Sequence, residues 1–95
     1  MPSIGVITLE LRLDGSHSLK DKRHFVKSLK DRLRSKFNVS VAEIDYQELW
    51  QRGLVAVVTV SPDQPHAERI LQSVEREAAL LLGPLLVDAT TEWLS

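Results

Sequence analysis

The stretch Leu54-Val55-Ala56-Val57-Val58-Thr59-Val60 constrains the fold more than any other part of the chain. It is rich in β-branched residues and apolar at odd and even positions alike. As a strand it therefore asks for cover on both faces, which is how a central strand reads. A chain of 95 residues has room for about one domain, so residues 1–95 are expected to form a single domain around the sheet that holds this strand. A second segment, Ile4 to Leu13, alternates: Gly5, Ile7, Leu9, Leu11 and Leu13 fall on one face, and Ile4, Val6, Thr8, Glu10 and Arg12 on the other. Val39 to Asp45 reads as a third strand, with Ile44 breaking its alternation in the manner of a β-bulge. Leu85 to Leu94 reads as the last, Val87, Ala89, Thr91 and Trp93 facing opposite to Leu86, Asp88, Thr90 and Glu92.

Two stretches between these strands carry the helical period instead. After the turn residues Asp14-Gly15-Ser16-His17, Ser18 followed by Asp21 is a helix start signal. Leu19, Phe25, Val26, Leu29, Leu33 and Phe37 then fall within an arc of about 120°, the width of a packed stripe. Ser61-Pro62-Asp63-Gln64-Pro65 opens a second helix, in which Ala67, Ile70, Leu71, Val74, Ala78 and Leu81 recur at helical spacing before Gly83-Pro84 ends it. The order β-α-β-β-α-β predicts an α+β, ferredoxin-like sandwich: a four-stranded antiparallel sheet with two helices on one face. The other sheet face is then open. Since the Leu54–Val60 run is apolar on both sides, part of that open face is apolar and seeks cover, which predicts a homodimer packed sheet to sheet.

Composition excludes several functions. The absence of cysteine removes disulfides, zinc ribbons, iron–sulfur sites and thiol nucleophiles, and it fits a reducing compartment such as the cytoplasm. No signal-peptide pattern follows Met1, and no apolar run approaches the ~18 residues of a membrane span, so no membrane association is expected. His17, His24 and His66 are scattered, and Glu43, Asp45 and Glu48 follow no coordinating pattern, so neither metal nor cofactor is expected. Gly15-Ser16-His17-Ser18 lacks the residues of a P-loop and reads as a turn with a cap. Adjacent triad residue types on one turn do not make a triad, and no catalytic activity is expected.

The distribution of charge is the feature that points to a function. Net charge is −1, yet eight of the twelve basic residues lie between Lys20 and Lys36 against two acids, so the first helix carries about +6 and the rest about −7. Lys20, Arg23, Lys27, Lys30 and Arg34 fall within about 80° of one another, a ridge about 20 Å long at 1.5 Å rise per residue. Such a ridge suits a phosphate backbone, with Lys22, Lys36 and Arg52 as outer contacts. It equally suits charge pairing with Glu68, Glu75 and Glu77 of the second helix. An anion at the helix N-terminus would offset the conflict between Lys20, Lys22, Arg23 and the macrodipole. Tyr46 and Trp50, beside Arg52, are candidates for base stacking or partner contact, although such a Trp more often closes the end of its own core or a dimer edge. The two central strands carry no aromatic residue, which argues against bases stacked on the sheet and leaves backbone and shape reading.

The segments Gly15-Ser16-His17-Ser18-Leu19-Lys20-Asp21-Lys22-Arg23, Val26-Lys27-Ser28-Leu29, Arg32-Leu33-Arg34, Phe37-Asn38-Val39-Ser40-Val41-Ala42-Glu43 and Leu49-Trp50-Gln51-Arg52 resemble the YlxP-like family of small bacterial proteins, catalogued as a domain of unknown function. The resemblance is close in the N-terminal half and a matter of pattern in the C-terminal half. It implies a ferredoxin-like fold, a cytosolic bacterial protein and genes that often neighbour those of transcription and translation factors. It implies no activity and supplies no catalytic residues. Together these readings predict a non-enzymatic module that contacts structured RNA or the ribosome through the first helix, the alternative being a homo-oligomeric domain that binds a protein or a small anion.

Overall fold

The computed structural model describes residues 1–95 as β1 (Ser3–Arg12), α1 (Leu19–Lys36), β2 (Ser40–Asp45), β3 (Arg52–Ser61), α2 (Gln64–Leu82), a single 3-10 turn over Gly83–Leu85, and β4 (Leu86–Trp93). The strands form one antiparallel sheet in the order β2-β3-β1-β4, so the two most apolar strands are the central pair, as their sequences require. Ile7, Leu9, Leu11, Val55 and Val57 are buried, and they form one core with Val26, Leu29 and Leu33 of α1 and Leu71, Val74 and Ala78 of α2. The two helices thus cover the odd-numbered face of the central strands. Ile4, Val6, Leu54, Ala56 and Val58 on the even-numbered face remain partly exposed, and Val60 is exposed.

Local chemistry fixes the helix ends. Ser18 Oγ accepts the Asp21 amide at 3.1 Å while Asp21 Oδ2 accepts the His17 amide at 3.1 Å, a reciprocal cap of the kind read from the sequence. Asp63 Oδ1 accepts the His66 amide at 2.8 Å at the start of α2, and Gly83 closes that helix at φ 55°, a conformation that suits glycine. Gly5 has a different reason to be glycine. A Cβ there would lie 2.7 Å from the Trp93 ring and 2.8 Å from Leu71 Cδ1, so β1 approaches both more closely than any side chain permits.

Several details depart from the sequence reading or refine it. In α2 the last buried residue is Leu82, while Leu81, expected on the packed face, is exposed. The β2–β3 register shifts between Glu43 and Asp45, leaving Ile44 as an exposed bulge, as its broken alternation indicated. A second bulge, not anticipated, falls in β4: Leu11 faces Leu86 while Glu10 faces Asp88, so Val87 is the extra residue. Leu86 therefore packs on the core, and Val87 is exposed instead of continuing the face of Ala89 and Trp93. In α1 the buried stripe is Lys22, Val26, Leu29 and Leu33. Phe25 lies about 70° from the centre of that stripe on the helical wheel and is 42% exposed, which corrects its assignment to the packed face.

Candidate anion-binding surface on the first helix

The two flanks of α1 meet different surroundings, and this sorts its cations into bound and free. On the flank towards α2, Arg32 Nη1 and Lys36 Nζ converge on Glu77 Oε1 at 2.9 and 3.1 Å. Hydrogen bonds from Lys36 and then from Arg32 hold the Glu77 carboxyl below its ordinary value of 4.5. The anticipated pairing with α2 is thus met by Glu77 alone, and it consumes Arg32 and Lys36, not the ridge. Lys36, expected as an outer anion contact, is neutralised at its own helix end.

The opposite flank carries the ridge towards the free edge of β2. Arg34 Nη2 donates to the Val41 carbonyl at 2.8 Å, capping a main-chain acceptor that this edge strand leaves without a ladder partner. Lys27 Nζ lies 2.6 Å from Asp31 Oδ2, one helical turn away, and its hydrogen bond lowers the Asp31 carboxyl from the ordinary 3.8. Both side chains are mostly exposed, so this pair contributes little to stability. Lys20, Arg23 and Lys30 have no carboxylate within 4 Å. Between α1 and β2 runs a shallow groove walled by Arg23, Lys27, Lys30 and Arg34, with Asp31 and Glu43 as its acids. A second hollow, around Gly15, Lys20, Arg23 and His24, continues the cationic surface past the start of the helix. The helix N-terminus is capped by its own side chains, so the ridge does not depend on free amides there.

Lys22 is a correction to the sequence reading. Its side chain is 1% exposed, with Nζ 2.7 Å from Glu43 Oε2 and donating a short hydrogen bond to the Tyr46 carbonyl. A lysine so enclosed is no contact for a ligand. Position 22 falls between Leu29 and Leu33 on the helical wheel, inside the apolar stripe, and that was the signal available in the sequence. Tyr46 itself is the only non-glycine residue with positive φ, 62°, and the buried ammonium helps hold its carbonyl in place.

Arg52 and Tyr46 are also engaged internally. The guanidinium lies 4.1 Å from the centroid of the Tyr46 ring, donates to Tyr46 Oη at 3.1 Å and pairs with Glu10 Oε1 at 3.1 Å. Trp50 is 51% exposed and stands outside the core, so it does not close the core as a buried Trp would. Its connection is pinned to the start of α1, since Gln51 Nε2 donates to the carbonyls of Asp14 at 3.2 Å and Ser16 at 3.3 Å. Of the residues singled out, Lys20, Arg23, Lys27, Lys30 and Arg34 share one surface, and Lys22, Lys36, Arg52 and Tyr46 are bound up elsewhere.

The sequence profile of the family described as "Protein of unknown function (DUF503)" matches residues 4–81. The chain belongs to this family. It is 39% identical over 71 residues to the uncharacterized protein YlxP of Bacillus subtilis (strain 168), a match that spans 75% of this chain and 77% of YlxP. Among solved structures, the de novo designed protein Foldit4 superposes with a TM-score of 0.62 at 12% identity, covering 100% of this chain and 98% of the design. A dimeric ferredoxin-like protein of unknown function from Thermobifida fusca YX superposes with a TM-score of 0.51 at 17% identity, over 97% of this chain and 91% of that one. At such identities these structures show the ferredoxin-like fold and nothing about activity. No helix is long and apolar enough to cross a membrane.

Proposed function

We propose that this DUF503 protein is a non-enzymatic binding module that contacts structured RNA, on the ribosome or free, through the exposed flank of α1. The observation that carries the reading is that Lys20, Arg23 and Lys30 have no carboxylate partner although the rest of the chain is acidic. Lys27 and Arg34 lie in the same arc. The ridge is about 20 Å long, and its three unpaired cations span about 15 Å of it, which matches a short run of phosphates; neutralising them gives binding with a steep salt dependence. Without aromatic residues on β1 or β3, recognition is of backbone and shape. The cytoplasm is the compartment this reading requires.

The test is fluorescence anisotropy with ribosomal RNA fragments across a salt series. The wild type is expected to bind with log K falling by roughly 0.7–0.9 per neutralised phosphate for each unit of log salt. A folded Lys20→Glu, Arg23→Glu, Lys30→Glu variant is expected to lose binding. Absence of wild-type binding at low salt would overturn the RNA reading and leave a protein or small-anion partner for the same helix.

The second part of the proposal is that two copies pack sheet to sheet. Its support is the apolar strip formed by Ile4, Val6, Leu54, Ala56, Val58 and Val60 on the uncovered face, together with the likeness in fold to a protein described as dimeric. Sedimentation equilibrium tests it, and a monomer at high micromolar concentration would refute it.

A further inference from the structure

The groove between α1 and β2 is cationic with one exposed exception. Asp31 lies one turn after Lys27, next to Lys30 and one turn before Arg34, and it shares the groove that they wall. At 1.5 Å rise per residue it falls about 6 Å along the helix from Lys27 and about 4.5 Å from Arg34, so cation, carboxylate and cation alternate along this surface.

The groove's other acid is satisfied from within the fold: the Glu43 side chain is 16% exposed and takes the buried Lys22 ammonium. The Asp31 side chain is 55% exposed. Its Oδ2 accepts from Lys27, while its Oδ1 accepts from no group of the protein. The hydrogen bond from Lys27, and then the charges of Lys27, Arg34 and Lys30, hold the carboxyl below its ordinary 3.8, so at neutral pH it is an acceptor with no proton to give.

Beside phosphates, the sign of that charge limits what the group can do. A carboxylate repels the anion that the surrounding cations attract, and its exposed pair with Lys27 adds little stability in return. The repulsion is offset only by a ligand that brings a hydrogen-bond donor between its phosphates. Along a nucleic-acid strand the sugar lies between successive phosphates, and its free donor is the ribose 2′-hydroxyl, which DNA lacks. A hydroxyl donating to an ionised carboxylate makes a short, charge-assisted hydrogen bond, stronger than one between neutral groups.

We propose that Asp31 is the residue by which the α1 surface tells RNA from DNA: with backbone phosphates on Lys30 and its neighbouring cations, Asp31 Oδ1 accepts a hydrogen bond from a ribose 2′-hydroxyl. This rests on the RNA reading above and adds a selectivity that needs no contact with bases.

Asp31 is on an exposed helix face, so its replacement leaves the fold in place, which circular dichroism checks. Fluorescence anisotropy at low salt compares two probes: a ribosomal RNA stem–loop, and the same sequence with fluorine replacing every 2′-hydroxyl, which keeps the RNA-like helix and has no donor. The wild type is expected to bind the RNA about tenfold more tightly than the 2′-fluoro probe. Asp31→Ala is expected to bind the 2′-fluoro probe more tightly than the wild type does, and to bring the two probes within about twofold of each other. Asp31→Asn, whose amide carbonyl still accepts, is expected to keep part of the preference. Equal wild-type affinity for the two probes would overturn the assignment. So would an Asp31→Ala variant that shifts both probes by the same factor, the behaviour of a carboxylate that only holds Lys27 or only repels phosphate. The RNA reading stands in either case. A wild type that binds neither probe would overturn both.

Discussion

Lys22 shows how one side chain joins two parts of the molecule. It leaves the first turn of α1, crosses beneath β2 and ends between the Glu43 carboxylate and the Tyr46 carbonyl. Removing one partner of such a pair leaves an uncompensated buried charge, whereas replacing both by apolar residues can be neutral. Lys22→Ala is therefore expected to destabilise by about 3–5 kcal/mol in urea unfolding, and Lys22→Met, Glu43→Leu to recover most of that loss. Gly5→Ala should cost about 1–3 kcal/mol, because the added methyl meets the Trp93 ring and Leu71. The placement of Lys22 is legible in its position in the stripe with Val26, Leu29 and Leu33, whereas its charge argues for the surface. Its partner was harder to see: Glu43 lies on the inward side of β2 beside Val41, and only the fold brings it within reach of position 22.

At the scale of elements, the division of labour between the flanks of α1 follows from the sheet order. β2 is an edge strand, so the flank of α1 above it meets one strand and then solvent, while the other flank meets α2. Glu77 holds that second boundary, and its lowered carboxyl gives the contact a pH signature. Above pH 4.5 both folded and unfolded chains carry it ionised and the stabilisation is present in full. As pH falls from 4.5 towards the folded value the unfolded chain takes up the proton first, and the stabilisation is progressively lost. Urea midpoints between pH 3 and 6 should therefore fall less steeply for Glu77→Gln than for wild type. Ser18→Ala should remove the N-cap of α1 at a cost of about 1 kcal/mol. The strands and helices were legible because their periods of 2 and 3.6 are set by the chain itself. The bulge at Ile44 was legible for the same reason, since an apolar residue there breaks the alternation of its own strand. Val87 left no such mark: it continues the alternation of Ala89 and Thr91, and only pairing with β1 reveals the extra residue.

For the whole molecule, the α1 ridge and the open sheet face lie on opposite sides of the domain, which makes the two proposed activities separable. A Val58→Glu variant that no longer dimerises should bind RNA with wild-type affinity per chain at low RNA density, as measured by anisotropy. The charge-reversed ridge variant should still dimerise in the ultracentrifuge. Neither surface could be delimited by sequence alone, because net charge by segment cannot tell a free cation such as Lys30 from a committed one such as Lys36. The two register shifts bear on a different matter. β2 and β4 are the edges of the sheet, and each carries its bulge, at Ile44 and at Val87, where a neighbouring chain would have to align a continuous ladder of main-chain groups. Interrupted edges resist strand addition. Growth of the sheet from molecule to molecule is blocked at both ends, so self-association stops at a closed particle, and light scattering should stay flat with time in concentrated solution where an unprotected sheet would lengthen into fibrils.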